Sequence, residues 1–260
     1  MSMAETALNI LWLWPDILNL HGDRGNVMAL TRISELYGIK TNITRITRLT
    51  DLFDPGSADI ILLGAGELAV MPEIAGALSK RYDSLKAFSE SGGIIFATGT
   101  TGAALGVHTT RSDGSHIYGA GLLEMECKER GSVIGDDLIF NPGSSLNTGT
   151  DTPVLGIQIQ MIDLYLSENQ KPLGDIVYGF GNCGALSEGA VNNGVILTNA
   201  VGPVLIKNPW LTLALIRKAL FGKNPAMDPD ALRFDPSLFE IELASAAAIQ
   251  AFNDKKEKPR

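Results

Sequence analysis

Residues 94–102 read Ile94-Ile95-Phe96-Ala97-Thr98-Gly99-Thr100-Thr101-Gly102. The apolar opening has the length of a buried strand, and a glycine-bounded turn follows it directly. Ala103, Ala104 and Leu105 then start a short helix. Strand, tight turn and helix make the geometry of a nucleophile elbow, in which glycines let the backbone bend and the helix start offers amides to an anion. An elbow presents serine or cysteine. This turn holds only threonine hydroxyls, so from its residues alone it reads as a structural βα turn, or as a phosphate cradle without a Walker lysine.

Upstream, residues 8–14 form another apolar run, ended by Pro15. A helix pattern follows: Asp23 is placed to cap it, Val27, Leu30, Ser34 and Tyr37 share a stripe, and Gly38 ends it. Residues 41–47 are rich in β-branched side chains, and the apolar run 59–63 ends at Gly64-Ala65-Gly66. The spacing predicts one helix over 72–89, stopped by Gly92-Gly93. Strands alternating with helices predict βαβ units and a mostly parallel sheet, with ligands beyond the carboxyl ends of the strands. The glycine-rich loops 15–25, 64–71 and 98–106 lie there. Beyond Gly119 the segments shorten, and 122–127, 132–140, 154–160, 176–180 and 195–200 read as antiparallel strands added to the sheet edge. Pro209 opens a helix over 209–220. Residues 226–236 read as a proline-bearing linker, 237–252 as a final helix and 253–260 as a charged tail.

The chain has 260 residues, 45% apolar and 19% charged, which excludes a disordered chain and allows one large α/β domain or two small ones. Two cysteines exclude a disulfide framework. With 21 basic and 29 acidic residues the net charge is −8, which argues against a nucleic-acid groove. The early apolar run is too short for a membrane span and lacks the flanks of a signal peptide. A cytoplasmic protein with Cys127 and Cys183 as reduced thiols is expected.

Histidine is scarce: His21, His108 and His116. No pair has zinc-ligand spacing, so no metal site is expected. His108 and His116 flank a hairpin, whereas His21 lies at the expected active end. Cys183 is a candidate thiol by its loop position, with an inert side chain as the plainer reading. Asp16, Asn19, His21, Asp23, Arg24 and Asn26 crowd one loop, which reads either as a capped turn or as a surface for a ligand or partner.

The run from Trp14 to Asn26, through Pro15-Asp16-Ile17-Leu18-Asn19-Leu20-His21-Gly22-Asp23-Arg24-Gly25, resembles the opening signature of the GatD-type glutamine amidotransferases. These are class I, Triad-type relatives of the cobyric acid synthase (CobB/CobQ-like) amidotransferase domains. Leu63-Gly64-Ala65-Gly66-Glu67 resembles the family's glycine-rich loop, which ordinarily ends in glutamine. Pro172-Leu173-Gly174, Gly179-Phe180-Gly181-Asn182 and Glu188-Gly189 resemble its central segment. Residues 198–209, with Gly202-Pro203 and Lys207-Asn208-Pro209, resemble the block around the catalytic histidine. The match spans about 8–220 and leans towards the cell-wall group rather than the cobalamin one. It implies a flavodoxin-like α/β fold, a mostly parallel central sheet flanked by helices with antiparallel additions. It also implies a domain over 1–222, with linker, helix and tail over 223–260.

Members of the family release ammonia from glutamine with an elbow cysteine and a histidine, and GatD feeds it to MurT, a Mur-ligase-like ATP-dependent partner. The family elbow, Cys-Gly-Gly-Tyr-Gln-Leu-Leu-Gly, places its cysteine at Gly99. Tyr-Leu-His-Gly-Pro places its histidine at Val201. Glutamine has become Glu67, and the substrate-clamping arginine has Arg130 as its nearest counterpart. The pocket implied by the resemblance comprises Gly64, Ala65, Gly66, Glu67, Thr98, Thr100 and Arg130. The expectation is a protein without glutaminase turnover, acting as a binding or scaffold subunit beside a MurT-type partner and needing no cofactor. The alternative is an active glutaminase using Thr98, Thr100 or Cys183. Glutamine or another small anion is the expected ligand.

Overall fold

The computed structural model describes residues 6–224, 227 and 232–256. A six-stranded sheet lies at its centre. Strands β1 (Ala7–Leu13), β2 (Lys40–Ile46), β3 (Ile60–Leu63) and β4 (Ile94–Thr98) run parallel, with β1 between β2 and β3 and β4 beyond β3. Alternation assigns their faces. Leu8, Ile10, Trp12, Ile60, Leu62, Ile94 and Phe96 share a core with α1 (Arg24–Leu36). Leu11, Leu13, Ile61, Leu63, Ile95 and Ala97 pack with α2 (Met71–Ser79) and α3 (Tyr82–Glu90) on the other face. Both faces of β3 and β4 are covered, which is why these strands are apolar up to Thr98. Each such side chain contributes roughly 1.5–3 kcal/mol relative to exposure.

One helix was expected over 72–89, and two are found. The break falls at Lys80–Arg81, where Arg81 lies 4.5 Å over the Phe53 ring and donates to the Asp51 carbonyl. That tether turns the chain so that Leu85 and Phe88 reach the core.

After the short α4 (Gly102–Leu105), the hairpin of β5 (His108–Thr110) and β6 (His116–Tyr118) forms where the two histidines flank it. The segments 122–127 and 132–140 are not two strands. Residues 125–127 and 132–140 belong to one strand, β7 (Met125–Pro142), whose register shifts between Glu129 and Ile134, while 122–124 precede it as bends. This bulge absorbs Gly131 without ending the strand. β7 pairs antiparallel with β8 (Val154–Leu166) and with β9 (Gly174–Tyr178), and β10 (Ser187–Glu188) follows β9. These strands form a second sheet rather than an extension of the first. Only β11 (Ala190–Asn192) and β12 (Val195–Thr198) join the central sheet, β12 lying parallel against β4. The expected strand 195–200 therefore divides at Asn199: β13 (Ala200–Val201) crosses to pair with β8.

α5 (Val204–Lys207) leads into α6 (Pro209–Lys223), which opens at its proline and runs beneath the first face of the sheet. Gly92 and Gly222 meet backbone to backbone there, with a Cβ on Gly92 falling 2.8 Å from Gly222. α7 (Glu240–Asn253) packs on the same core through Ala246, and Phe239 just before it is buried there too. The linker reading at 226–236 falls partly outside the described residues, as does the tail at 257–260, although Leu232 and Phe234 are buried in the core. No helix among the described residues is long and apolar enough to cross a membrane.

Candidate functional site

β4 delivers the chain into the turn with Gly99 at φ +57, a left-handed conformation that glycine accepts without penalty. Thr98, Gly99, Thr100 and Thr101 are all buried. Each threonine hydroxyl is committed to a neighbouring loop. Thr98 Oγ1 donates to Asp23 Oδ1 at 2.7 Å, Thr100 Oγ1 to the Gly66 carbonyl at 2.5 Å, and Thr101 Oγ1 to the Gly64 carbonyl at 2.5 Å. The turn's polarity joins loops together. A hydroxyl nucleophile needs an adjacent base and an open approach. Thr98 has the carboxylate but is 1% exposed.

Asp23 precedes α1 yet makes no side-chain cap, contrary to the expectation from its position. Its carboxylate reaches across to Thr98 and accepts the Ala65 amide at 3.1 Å. Burial pushes its pKa up, partly offset by those two donors and the His21 backbone. The first loop is pressed onto the glycine-rich loop: a Cβ on Gly64 would lie 2.5 Å from that of Asp23, and one on Gly66 would lie 2.7 Å from Leu18 Cδ2. The amides of Ala65 and Gly66 are both used internally, the second approaching Thr100 Oγ1 at 3.2 Å.

The remaining loop residues divide. Asn19 Oδ1 accepts the Arg24 amide at 2.9 Å and Asn26 Oδ1 accepts that of Leu205 at 2.9 Å, so both serve the fold. Asp16 is exposed and pairs with Arg45 at 3.4 Å; Arg24 is exposed and His21 half-buried. Glu67 lines a cavity of about 590 Å³ with Asp16, Asn19 and Leu20, and no residue of the 98–101 turn lines it.

Gly99 and Val201 meet. A Cβ on Gly99 would lie 3.3 Å from Val201 Cγ1 and 3.2 Å from the Ala65 methyl. Val201 is 1% exposed and held by its pairing with Ile157. Gly99→Ala is therefore expected to cost about 1–3 kcal/mol through backbone strain and crowding. In a double-mutant cycle with Val201→Ala, measured by urea unfolding, the pair should be less destabilised than the sum by roughly 1 kcal/mol. Additive costs would separate the two positions.

Thr198 and Asn199, between the turn's partner strand and Val201, belong to a polar network that the sequence reading missed. Glu188 is fully buried, and its carboxylate accepts Thr198 Oγ1 at 2.7 Å, the Asn199 amide at 2.7 Å and Asn199 Nδ2 at 2.9 Å. Burial raises its pKa, with Thr198 and Asn199 pulling the other way. Asn199 also donates to Asn182 Oδ1, and Gln160 donates to the Asn182 carbonyl and to Asp163. Arg130 lies at the outer end. It grips both Asp163 oxygens at 2.6 and 2.9 Å and sits 4.8 Å over the Phe180 ring, and it makes no hydrogen bond to the β4 turn. No cluster of three metal-ligating side chains occurs among the described residues.

Burial drives the Cys127 thiol up to about 12, while Cys183 is partly exposed. A thiol reagent at neutral pH is expected to titrate one cysteine in the folded chain and two after denaturation; two fast native thiols would contradict the burial.

No family model matches the chain. It is 30% identical over 220 residues to the lipid II isoglutaminyl synthase (glutamine-hydrolyzing) subunit GatD of Streptococcus pneumoniae, spanning 82% of this chain and 80% of that protein. The chain belongs to the GatD family. It is also 26% identical over 255 residues to the GatD subunit of Staphylococcus aureus, covering 96% and 99% of the two chains. A solved glutamine amidotransferase superposes with a TM-score of 0.51 at 16% identity, covering 80% of this chain and 98% of its own, a likeness of fold alone. The GatD fold here is thus the flavodoxin-like α/β arrangement of class I glutamine amidotransferases, and the turn after β4 lies where such sheets place ligands.

Proposed function

We propose that this GatD-family chain has no glutaminase turnover and acts as the binding or scaffold subunit of a Mur-ligase-like, MurT-type amidating complex. The observation that carries the reading is the contact between Gly99 and Val201: two buried positions face each other with hydrogen and a branched hydrocarbon. We take them as the family's nucleophile and base positions. Acyl transfer from glutamine needs a nucleophile, a base to take its proton and amides to hold the oxyanion. Loss of the first two costs orders of magnitude in rate. The amides of Ala65 and Gly66 are bound within the chain, and the charge of Arg130 is matched by Asp163. What the chain keeps is the 14–26 signature and its exposed residues, which suit a docking role.

The test is ammonia release from glutamine by the chain alone and with its co-purified partner, together with labelling by a glutamine-mimicking electrophile. No ammonia above background, no adduct and a stable complex whose partner accepts free ammonium are expected. Enzymatic ammonia release would overturn the reading. A covalent adduct on Thr98, whose hydroxyl already points at Asp23, would install the relocated-residue alternative instead.

A further inference from the structure

We propose that the cleft between α6 and the 143–149 loop binds the phosphoryl group of a small molecule. The cleft encloses about 330 Å³, within the range of small-molecule sites. Its polar lining is Ser144, Ser145, Asn147, Arg217 and Lys218, with no carboxylate among the described residues that line it. Four other cavities each have at least one acid: Asp16 and Glu67, Glu242, Glu124, or Asp54. In a chain of net charge −8, two adjacent cations facing a pocket without acid are set against the prevailing charge.

Among the described residues no acid neutralises either cation. Arg217 donates to the Asn147 carbonyl and Lys218 to the Ser145 carbonyl at 3.4 Å, and neither pairs with an acid among the described residues. Both are half-buried, and burial holds the Arg217 guanidinium below its ordinary range. A desolvated cation without a counter-charge is costly, and an anion in the cleft relieves that cost. The loop adds neutral donors. Leu146 N bonds to the Gly143 carbonyl, which leaves the Ser144 and Ser145 amides at the centre of the turn without an acceptor among the described residues. A fork-shaped guanidinium, a mobile ammonium, two hydroxyls and two amides suit a doubly charged tetrahedral group better than a planar carboxylate. The cleft lies towards the end of α6 that backs onto Gly92, before β4, whereas the candidate turn follows β4. Binding here is therefore separable from events at Gly99 and Val201.

The experiment follows amide shifts of the full chain during titration with inorganic phosphate at constant ionic strength, with chloride and acetate as controls. Saturable shifts at Ser144 and Ser145 are expected, weakened roughly tenfold or more by Arg217→Gln. Lys218→Gln serves as a second variant should the first fail to fold, and it is expected to weaken phosphate in the same direction. Shifts that are linear, or that chloride reproduces, would mean an adventitious ion only and overturn the site. Acetate binding as tightly as phosphate would overturn the phosphoryl assignment. Unchanged phosphate affinity in a folded variant would remove the cations from it.

Discussion

Glu188→Ala is expected to destabilise the chain by about 3 kcal/mol or more. In a domain of this size that corresponds to roughly 6–12 °C in melting temperature. The carboxylate is the shared acceptor of one hydroxyl, one backbone amide and one side-chain amide, all in a fully buried setting. Its removal takes the carboxylate acceptor from all three buried donors at once. Glu188→Gln is expected to fall between parent and alanine variant, because its amide group must oppose Asn199 Nδ2. Thermal unfolding decides the matter, and an unchanged midpoint would mean that water or rearrangement satisfies the donors. As Asn199 sits two residues before Val201, the same variant should also loosen β13, which hydrogen exchange at Val201 would register.

The second large effect is expected at Asp23. Asp23→Ala removes the acceptor for Thr98 and Ala65 together, at a cost of about 2–4 kcal/mol. Its pH dependence runs opposite to that of an ion-paired acid. Burial raises Asp23 and Glu188 above their ordinary values of 3.8 and 4.5. Below those ordinary values both folded and unfolded chains hold the protons. Between them and the raised folded values, only the folded chain does, so the contribution of these groups falls as pH rises. Above the folded values that loss is complete. Glu188→Gln, which cannot ionise, should therefore show a shallower decline of stability with pH than the parent. Identical profiles would remove Glu188 from the titration.

Local chemistry made part of this molecule legible. Gly38 and Pro209 mark helix boundaries because each has a conformational reason to stand there, and His108 and His116 bracket the hairpin as expected. The Gly99 turn was legible for the same reason. Tertiary choices were not. Asp23 looks like a helix cap because a cap and a long-range acceptor use the same residue type. The helix break at Arg81 depends on Phe53, a partner distant in sequence. Strand periodicity does not say which sheet a strand joins, so the crossing at Asn199 was invisible. The Glu188 network draws on Asn182, Thr198 and Asn199, none of which has a local reason to seek a carboxylate. Glu188 and Asn182 did lie in segments resembling the family, a signal of position without a role.

The insertion of β12 beside β4 has a consequence for biosynthesis. The nascent chain delivers β1 to β4 early, but the strand that completes the flank of β4 is translated only at Val195–Thr198, after every strand of the second sheet except β13. Throughout that interval β4 offers an apolar strand with open backbone groups, the kind of edge that invites pairing with another copy. Release from the ribosome in soluble form therefore depends on what shields that flank while the β7–β8 arms are being made.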